Sequence, residues 1–299
     1  MSDAVLGPNR YGKAETRVVR VDRSGPEHAL TDLNVSVALS GDLTDTHLSG
    51  DNANVLPTDT QKNTVYAFAA DGVASPEEFG LRLARHFVAT QEPITGACVQ
   101  LEQYGWARLG PHSFRRTGPE VRTARVEHAA SGTTVVAGVR DLVVLNTTDS
   151  EFTGYVVDGY TTLAPTTDRV LATAVDARWR YAGVDGAAAD GAAVEGAAVE
   201  DDWDALWAQV RDCLLAAFAG TYSLALQQTL YAMGARVVDE VPEVAEVRLT
   251  LPNRHHFLVD LAPFGRENPG AVYHAADRPY GLIEGTVLRS GVVADPRFW

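Results

Sequence analysis

Residues 56–67 read LPTDTQKNTVYA. A dense polar cluster, Thr58-Asp59-Thr60-Gln61-Lys62-Asn63-Thr64, runs directly into the apolar Val65-Tyr66-Ala67-Phe68-Ala69-Ala70. A loop has no need of the second half. Thr58-x-x-Gln61 fits a capping box, in which the hydroxyl accepts from a backbone N–H three residues on and the amide reaches back. Asp59 in the first turn complements the helix dipole, and Gly72 offers a stop. The stretch therefore predicts a short helix near 59–71. That helix does not account for Thr60, Lys62, Asn63 and Thr64 together. A helix start also presents free N–H donors to an anion or a carbonyl, which leaves room for a site.

Strands flank this helix. Leu33, Val35, Val37 and Leu39 alternate with polar or small residues, the pattern of a half-buried strand. Residues 12–22 precede it with Val18, Val19 and Val21, and SGPEH between them is turn chemistry, so the two read as a hairpin. A second helix opens at Ser75-Pro76-Glu77-Glu78, a capping box with Pro at the first helical position, and carries Phe79, Leu83 and Phe87 at i, i+4, i+8. From about 95 to 147 the pattern returns to strands, with Gly118-Pro119 read as a turn. The order then repeats. LVVLNTT and TAVDARWRYAG read as strands, and Trp203, Trp207, Val210, Leu214 and Ala217 form one helical stripe. A further helix runs from about 222 to 239 and is halted by Pro242. AEVRLTLPN and HHFLVDLAPF read as strands. Runs of strands followed by runs of helices, twice over, predict an α+β chain with an antiparallel sheet and helices on one face, divided into 1–140 and 141–299. GVDGAAADGAAVEGAAVEDD, residues 183–202, is small, acidic and of low complexity, and reads as a flexible loop.

The net charge of −14 argues against nucleic acid, because phosphate contacts need clustered Lys and Arg. The two cysteines, Cys98 and Cys213, form no CxxC and sit in apolar periodic stretches, which reads as reduced core thiols in a cytoplasmic protein. No apolar run approaches membrane-spanning length, and MSDAVLGPNR lacks the basic start and apolar stretch of a signal peptide.

Few residues declare a chemistry alone. No phosphate loop, GxGxxG or HExxH is present. His255 and His256 are adjacent, so on a strand they face opposite ways and do not readily share a metal. His255, in phase with Phe257, Val259 and Leu261, is by default a satisfied histidine at a sheet end. Its functional alternative is a shielded proton relay. Taken singly, Lys13 is a solvated lysine, Arg169 a surface ion pair, Gln227 a polar helix face and Phe152 core.

The combination changes this. YGK at 11–13, TDTQKNTVYA at 58–67, HSF at 112–114, the run from Glu151 to Trp179, LQQTLY at 226–231, LPNRHHFLVDL at 251–261 and GLIEGTVLR at 281–289 are colinear. In order and spacing they resemble the urate oxidases over essentially the whole chain, and most closely a bacterial, actinobacterial-type member. The resemblance implies two tandem tunnelling-fold (T-fold) units, 1–140 and 141–299. It implies a homotetramer stacked into a tunnel-like barrel with active sites at subunit interfaces. It also implies oxidation of urate by O2 and water to 5-hydroxyisourate and hydrogen peroxide, with no metal and no organic cofactor. Residue by residue, the family's catalytic groups fall on Lys13, Thr58 and His255. Its substrate-binding groups fall on Asp59, Phe152, Arg169, Leu226, Gln227 and Asn253.

These residue types suit the chemistry. Urate is planar, anionic and edged with carbonyl and N–H groups. Arg presents a planar fork, Gln both a donor and an acceptor, and Phe a stacking face. A lysine acting through the Thr58 hydroxyl, with His255 completing the relay, would remove a proton and make urate a better electron donor to O2. Pro57 and Leu226 stand where other members carry different small or branched residues. The chain ends in PRFW rather than Ser-Lys-Leu, which points to the cytoplasm and not the peroxisome. The rival readings are a metal-dependent purine or pterin hydrolase on the same fold, using His and Cys98, and a purine-binding tetramer without turnover. The first would need three converging ligands that the spacing does not offer. The intact Lys13, Thr58 and His255 argue against the second.

Overall fold

A computed structural model describes residues 3–184 and 202–296. The segment 183–202 falls almost wholly outside the described residues. The chain divides into two compact units, Met1–Gly138 with Arg180–Ala205, and Val139–Trp179 with Leu206–Trp299.

Unit 1 begins with the hairpin β1 (Tyr11–Asp22) and β2 (Ala29–Gly41), followed by a single turn, α1 (Thr44–Leu48), which no periodicity announces. Helices α2 (Thr58–Ala70) and α3 (Pro76–Thr90) come next, then β3 (Ile94–Arg108), β4 (Phe114–Ala129) and β5 (Gly132–Asn146), whose second half passes into unit 2. The strands lie in the order β1-β2-β3-β4-β5, and each pair from β1 to β4 is antiparallel. Val35, Val37 and Leu39 pair with Leu101, Val99 and Ala97. Helix α2 lies against β1, and α3 against β3 and β4. Phe79, Leu83 and Phe87 are almost wholly buried, as their spacing predicts. At Gly80 the approach is close enough that a Cβ would sit 2.8 Å from Val126 Cγ2.

Unit 2 takes the rest of β5, most of β6 (Leu171–Tyr181) and of α4 (Trp203–Gly220), then α5 (Leu226–Glu240), β7 (Val244–Asn253), the short pair β8 (His256–Leu258) and β9 (Tyr273–Ala275), and β10 (Gly281–Leu288). The order β5-β6-β7-β10 again gives one sheet, with α5 on β7 and β10. Gly234 repeats the role of Gly80: a Cβ there would meet Val287 Cγ2 at 2.5 Å.

Four local expectations are corrected. The capping box at α2 is absent. Pro57 is the N-cap with no side-chain bond, Thr58 is already helical, and Gln61 is buried, its amide donating to Leu56 O at 3.3 Å. Strand β4 runs straight through Gly118-Pro119. The register shifts from Tyr104↔Val121 to Trp106↔Arg116, so the dipeptide sits in a bulge, where a proline without N–H is tolerated. HHFLVDLAPF is strand only over His256–Leu258 and then forms a 3-10 turn at Ala262–Phe264. Helix α5 starts at Leu226, because Ser150 bridges the extended Ser223 that precedes it.

The return of the chain to unit 1 is fixed by charge. Glu77 on α3 is fully buried and bonds Arg122 of β4 at 2.6 Å, and Arg122 also bonds Asp204 at the start of α4 at 2.5 Å. Burial pushes the Glu77 carboxyl up, and Arg122 pulls it back. Removing one partner of a buried pair strands the other charge. Arg122→Ala is therefore expected to lose about 3–5 kcal/mol of stability, read from the urea midpoint, and Glu77→Gln in that background to recover part of it. An unshifted midpoint in Arg122→Ala would refute this role for the pair.

Candidate active site

In unit 1 the hairpin and α2 bring Lys13, Thr58 and Asp59 together. Lys13 pairs with Val37, so both face the helix side of the sheet. Immediately afterwards the register slips between Lys13 and Thr16. Glu15 adopts φ 57, and its N–H donates to Ser36 Oγ at 2.9 Å. The bulge lets β1 bend beside Lys13. Two residues earlier on the same face, the Tyr11 hydroxyl accepts from Leu56 N at 2.8 Å and donates to Leu56 O at 3.0 Å. That contact pins the entry of α2 to β1.

The polar cluster of 58–64 now divides by task. Gln61 is buried under the helix, and Thr64 Oγ1 donates to Thr60 O at 2.9 Å. Lys62 and Asn63 both donate to the Asp59 carboxylate, Asn63 at 3.1 Å. The hydrogen bond from Lys62 and then its charge hold the Asp59 carboxyl below its usual value, and Lys13 adds to this through its charge. The same bond raises Lys62. Asp59 is thus an anion at a helix start, a favourable end for it. The half-buried Thr58 hydroxyl makes no side-chain bond to the described residues.

In unit 2 the remaining candidates gather near the start of β6, the end of β7 and the start of α5. Phe152 and Thr166 bond each other's backbones at 2.8 and 3.1 Å, closing the intervening loop. This sets the Arg169 guanidinium 5.3 Å from the centre of the Phe152 ring, while Tyr155 stacks on that ring at 4.9 Å and 14°. Arg169 is half-buried. Its Nε donates to Ser150 Oγ at 3.0 Å, and its terminal nitrogens bond no carboxylate among the described residues. Burial lowers the Arg169 guanidinium from its ordinary value. Leu226 and Gln227 open α5, whose N-cap, Ala225, offers no side-chain bond. The Leu226 side chain is buried in the core, so its backbone N–H is what remains for a ligand; Gln227 is exposed. Asn253 ends β7 opposite Gly281, and the next residue, Arg254, donates its N–H to Ala172 O at 2.8 Å. His255 follows, half-buried, with its ring on Phe257 at 5.8 Å and no hydrogen bond to either ring nitrogen among the described residues.

Sequence reasoning did not find Ser150, Tyr155, Tyr11, or the tasks of Lys62 and Asn63. Only the YGK and TDTQKNT motifs carried any signal for the last three. Among the described residues no cluster of three or more His, Cys, Asp or Glu is placed to hold a metal ion. Cys98 and Cys213 are free and buried, and burial raises both thiols, Cys213 to about 11.

The uricase family model matches residues 9–127 and 135–284. A uricase of Arthrobacter globiformis is 52% identical over 297 residues, covering 99% of this chain and 93% of the relative. A uricase of Dictyostelium discoideum is 36% identical over 96% of this chain and 98% of its own length. The crystal structure of the Arthrobacter globiformis uricase superposes with a TM-score of 0.91 over 98% of both chains, at 52% identity. That of a Bacillus fastidious uricase superposes with 0.75 at 27% identity, over 95% of this chain and 94% of that one. The likeness bears out the α+β tunnelling fold that the family resemblance implied, and none of these relatives supports a metal-dependent hydrolase. With its family match spanning nearly the whole length and its sheet superposing on those structures, the chain belongs to the uricase family.

Proposed function

We propose that the chain oxidises urate with O2 and water to 5-hydroxyisourate and hydrogen peroxide, without a metal or organic cofactor. The observation that carries this reading is Arg169. A half-buried guanidinium is normally paired. Here Nε is fixed by Ser150 and the fork has no carboxylate among the described residues, beside an aromatic face. A planar anion with adjacent oxygen and nitrogen atoms is the natural occupant.

Arg169 and Gln227 grip opposite edges of the purine, Phe152 stacks on it, and Asp59 and the Leu226 N–H complete its binding. Lys13 draws on the Thr58 hydroxyl, and His255 completes the relay that takes a proton from urate. The more electron-rich anion then passes two electrons to O2. Asn253 and Thr58 hold O2 and afterwards the water whose oxygen is added. The Thr58 hydroxyl and the His255 ring nitrogens, without hydrogen bonds among the described residues, support these roles. Lys13, Thr58 and Asp59 lie in one unit and the other six residues in the second. We read the working site as shared between chains of a homotetramer, each supplying one group. Val156, Tyr160 and Leu163 are exposed on one loop, a surface suited to burial by a partner. The compartment is read as the cytoplasm, which two free thiols suit. No helix among the described residues is long and apolar enough to cross a membrane.

Purified protein dialysed against chelator is expected to release peroxide from urate in aerated buffer. Activity that returns only on adding metal would overturn the cofactor-free reading. Loss of Arg169 or Gln227 should act mainly on KM. Loss of Lys13, Thr58 or His255 should lower kcat by about 10²–10⁴-fold while xanthine, which lacks the 8-oxo group, still binds. Collapse of xanthine binding with turnover intact at saturation would make Lys13 a binding residue. Finally, inactive Lys13→Ala chains co-refolded with inactive Arg169→Ala chains should regain activity, and verified hybrids that stay inactive would exclude a shared site.

A further inference from the structure

Ser150 is one of three buried hydroxyl residues, joined partly through their backbones, that no motif marked. It is fully buried, as are Ser223 and Thr229. Ser150 meets Arg169 twice, accepting from Nε at its Oγ at 3.0 Å and from the Arg169 N–H at its carbonyl at 2.9 Å. On its other side it forms a parallel bridge to Ser223, flanked by Glu151 N to Ser223 O and Ser223 N to Asp149 O, each 2.8 Å. Ser223 Oγ in turn accepts from Thr229 Oγ1 at 2.8 Å, on the inner face of the helix that begins with Leu226 and Gln227. Asp149, at φ 58, makes the turn that admits this arrangement.

We propose that Ser150 is a positioning residue for substrate, and that Ser150, Ser223 and Thr229 form a buried brace joining the Arg169 loop to the start of α5. Both groups that grip the purine edges are then held in one relation before substrate arrives. The physical reason is economy of ordering. An arginine side chain held only by its stem samples many rotamers, and a ligand must freeze it. The Ser150 hydroxyl removes that freedom at Nε and leaves the two terminal nitrogens aimed outward as a fork. Because Nε is half-buried beside an aromatic ring, losing its acceptor also leaves a charged donor unsatisfied.

The proposal rests on the urate-oxidising reading, and the experiment separates the two. Ser150→Ala is compared with wild type for kcat, KM for urate, xanthine affinity and thermal midpoint. The expected result is a rise in KM and in the xanthine Kd of about tenfold, with kcat within about twofold. In an Arg169→Lys background, which has no Nε–H, Ser150→Ala should add no further loss, since residues acting through one another are not additive. Thr229→Val, which removes the hydroxyl that donates to Ser223 Oγ, should raise KM in the same direction. Should Ser150→Ala fold poorly, Thr229→Val beside Ser150→Thr, which keeps the hydroxyl, carries the test: the first raises KM and the second does not. Wild-type KM in Ser150→Ala or Thr229→Val, or equal losses with and without the Arg169 guanidinium, overturns the brace. If wild type itself neither oxidises urate nor binds xanthine, the underlying reading fails instead.

Discussion

Burial of alternate residues along β2 and β3 is the constraint on which the rest of unit 1 depends. Leu33, Val35, Val37 and Leu39 are buried with Val99 and Leu101 on one side of the sheet. Side chains alternate with period two, so a slip of one residue would turn this whole set to the other face. The register is thereby locked, and with it the face of every residue on β1. Lys13 opposite Val37 looks toward α2 only because Val37 must. The bulge after it is tolerated because β1 is an outer strand of its unit, where one irregular residue disturbs a single ladder.

Charges in the two units are placed by the same logic of satisfied and unsatisfied partners. Structural charges are paired: Glu77 with Arg122, and Arg248 with Glu246 at 2.8 Å, the last pair nearly excluded from solvent. Arg169 is the contrasting case, half-buried but without a carboxylate among the described residues. The two lysines beside Asp59 differ similarly. Lys62 donates to its carboxylate, whereas Lys13 contributes only through its field.

The architecture was legible because it rests on long, repeated signals. The 3.6 and 2.0 periodicities at Phe79-Leu83-Phe87 and Leu33–Leu39 identified elements whose burial the structure bears out. Local signals failed where the ladder outweighed them. Gly118-Pro119 is turn chemistry in isolation, yet β3 and β4 pair on either side of it and carry it as a bulge. The alternation in HHFLVDL was genuine, but Phe257 and Leu258 are exposed here and the pairing stops after three residues. The candidate residues were legible only as an ensemble of motifs, since each is chemically ordinary alone. Ser150 was illegible for a different reason: a serine acquires meaning only when a turn at Asp149 and a bridge to Ser223 bring Arg169 against it.

The polar half of LPTDTQKNTVYA bears on how helices begin. Helix α3, which carries no candidate residue, is capped in the ordinary way, Ser75 Oγ accepting from Glu78 N at 3.1 Å. Helices α2 and α5 are preceded by Pro57 and Ala225, neither of which supplies a side-chain cap. An absent cap costs roughly 0.5–2 kcal/mol of helix stability. Both helices are nevertheless formed, because packing on the sheet supplies what the cap does not. At both starts the residues that would otherwise serve the backbone, Thr58 on one and Gln227 on the other, keep their polar atoms unengaged among the described residues. Neither helix has an N-cap side-chain bond at the place where the candidate ligand contacts begin, and the buried anchors beneath them, Gln61 to Leu56 and Thr229 to Ser223, make that omission tolerable.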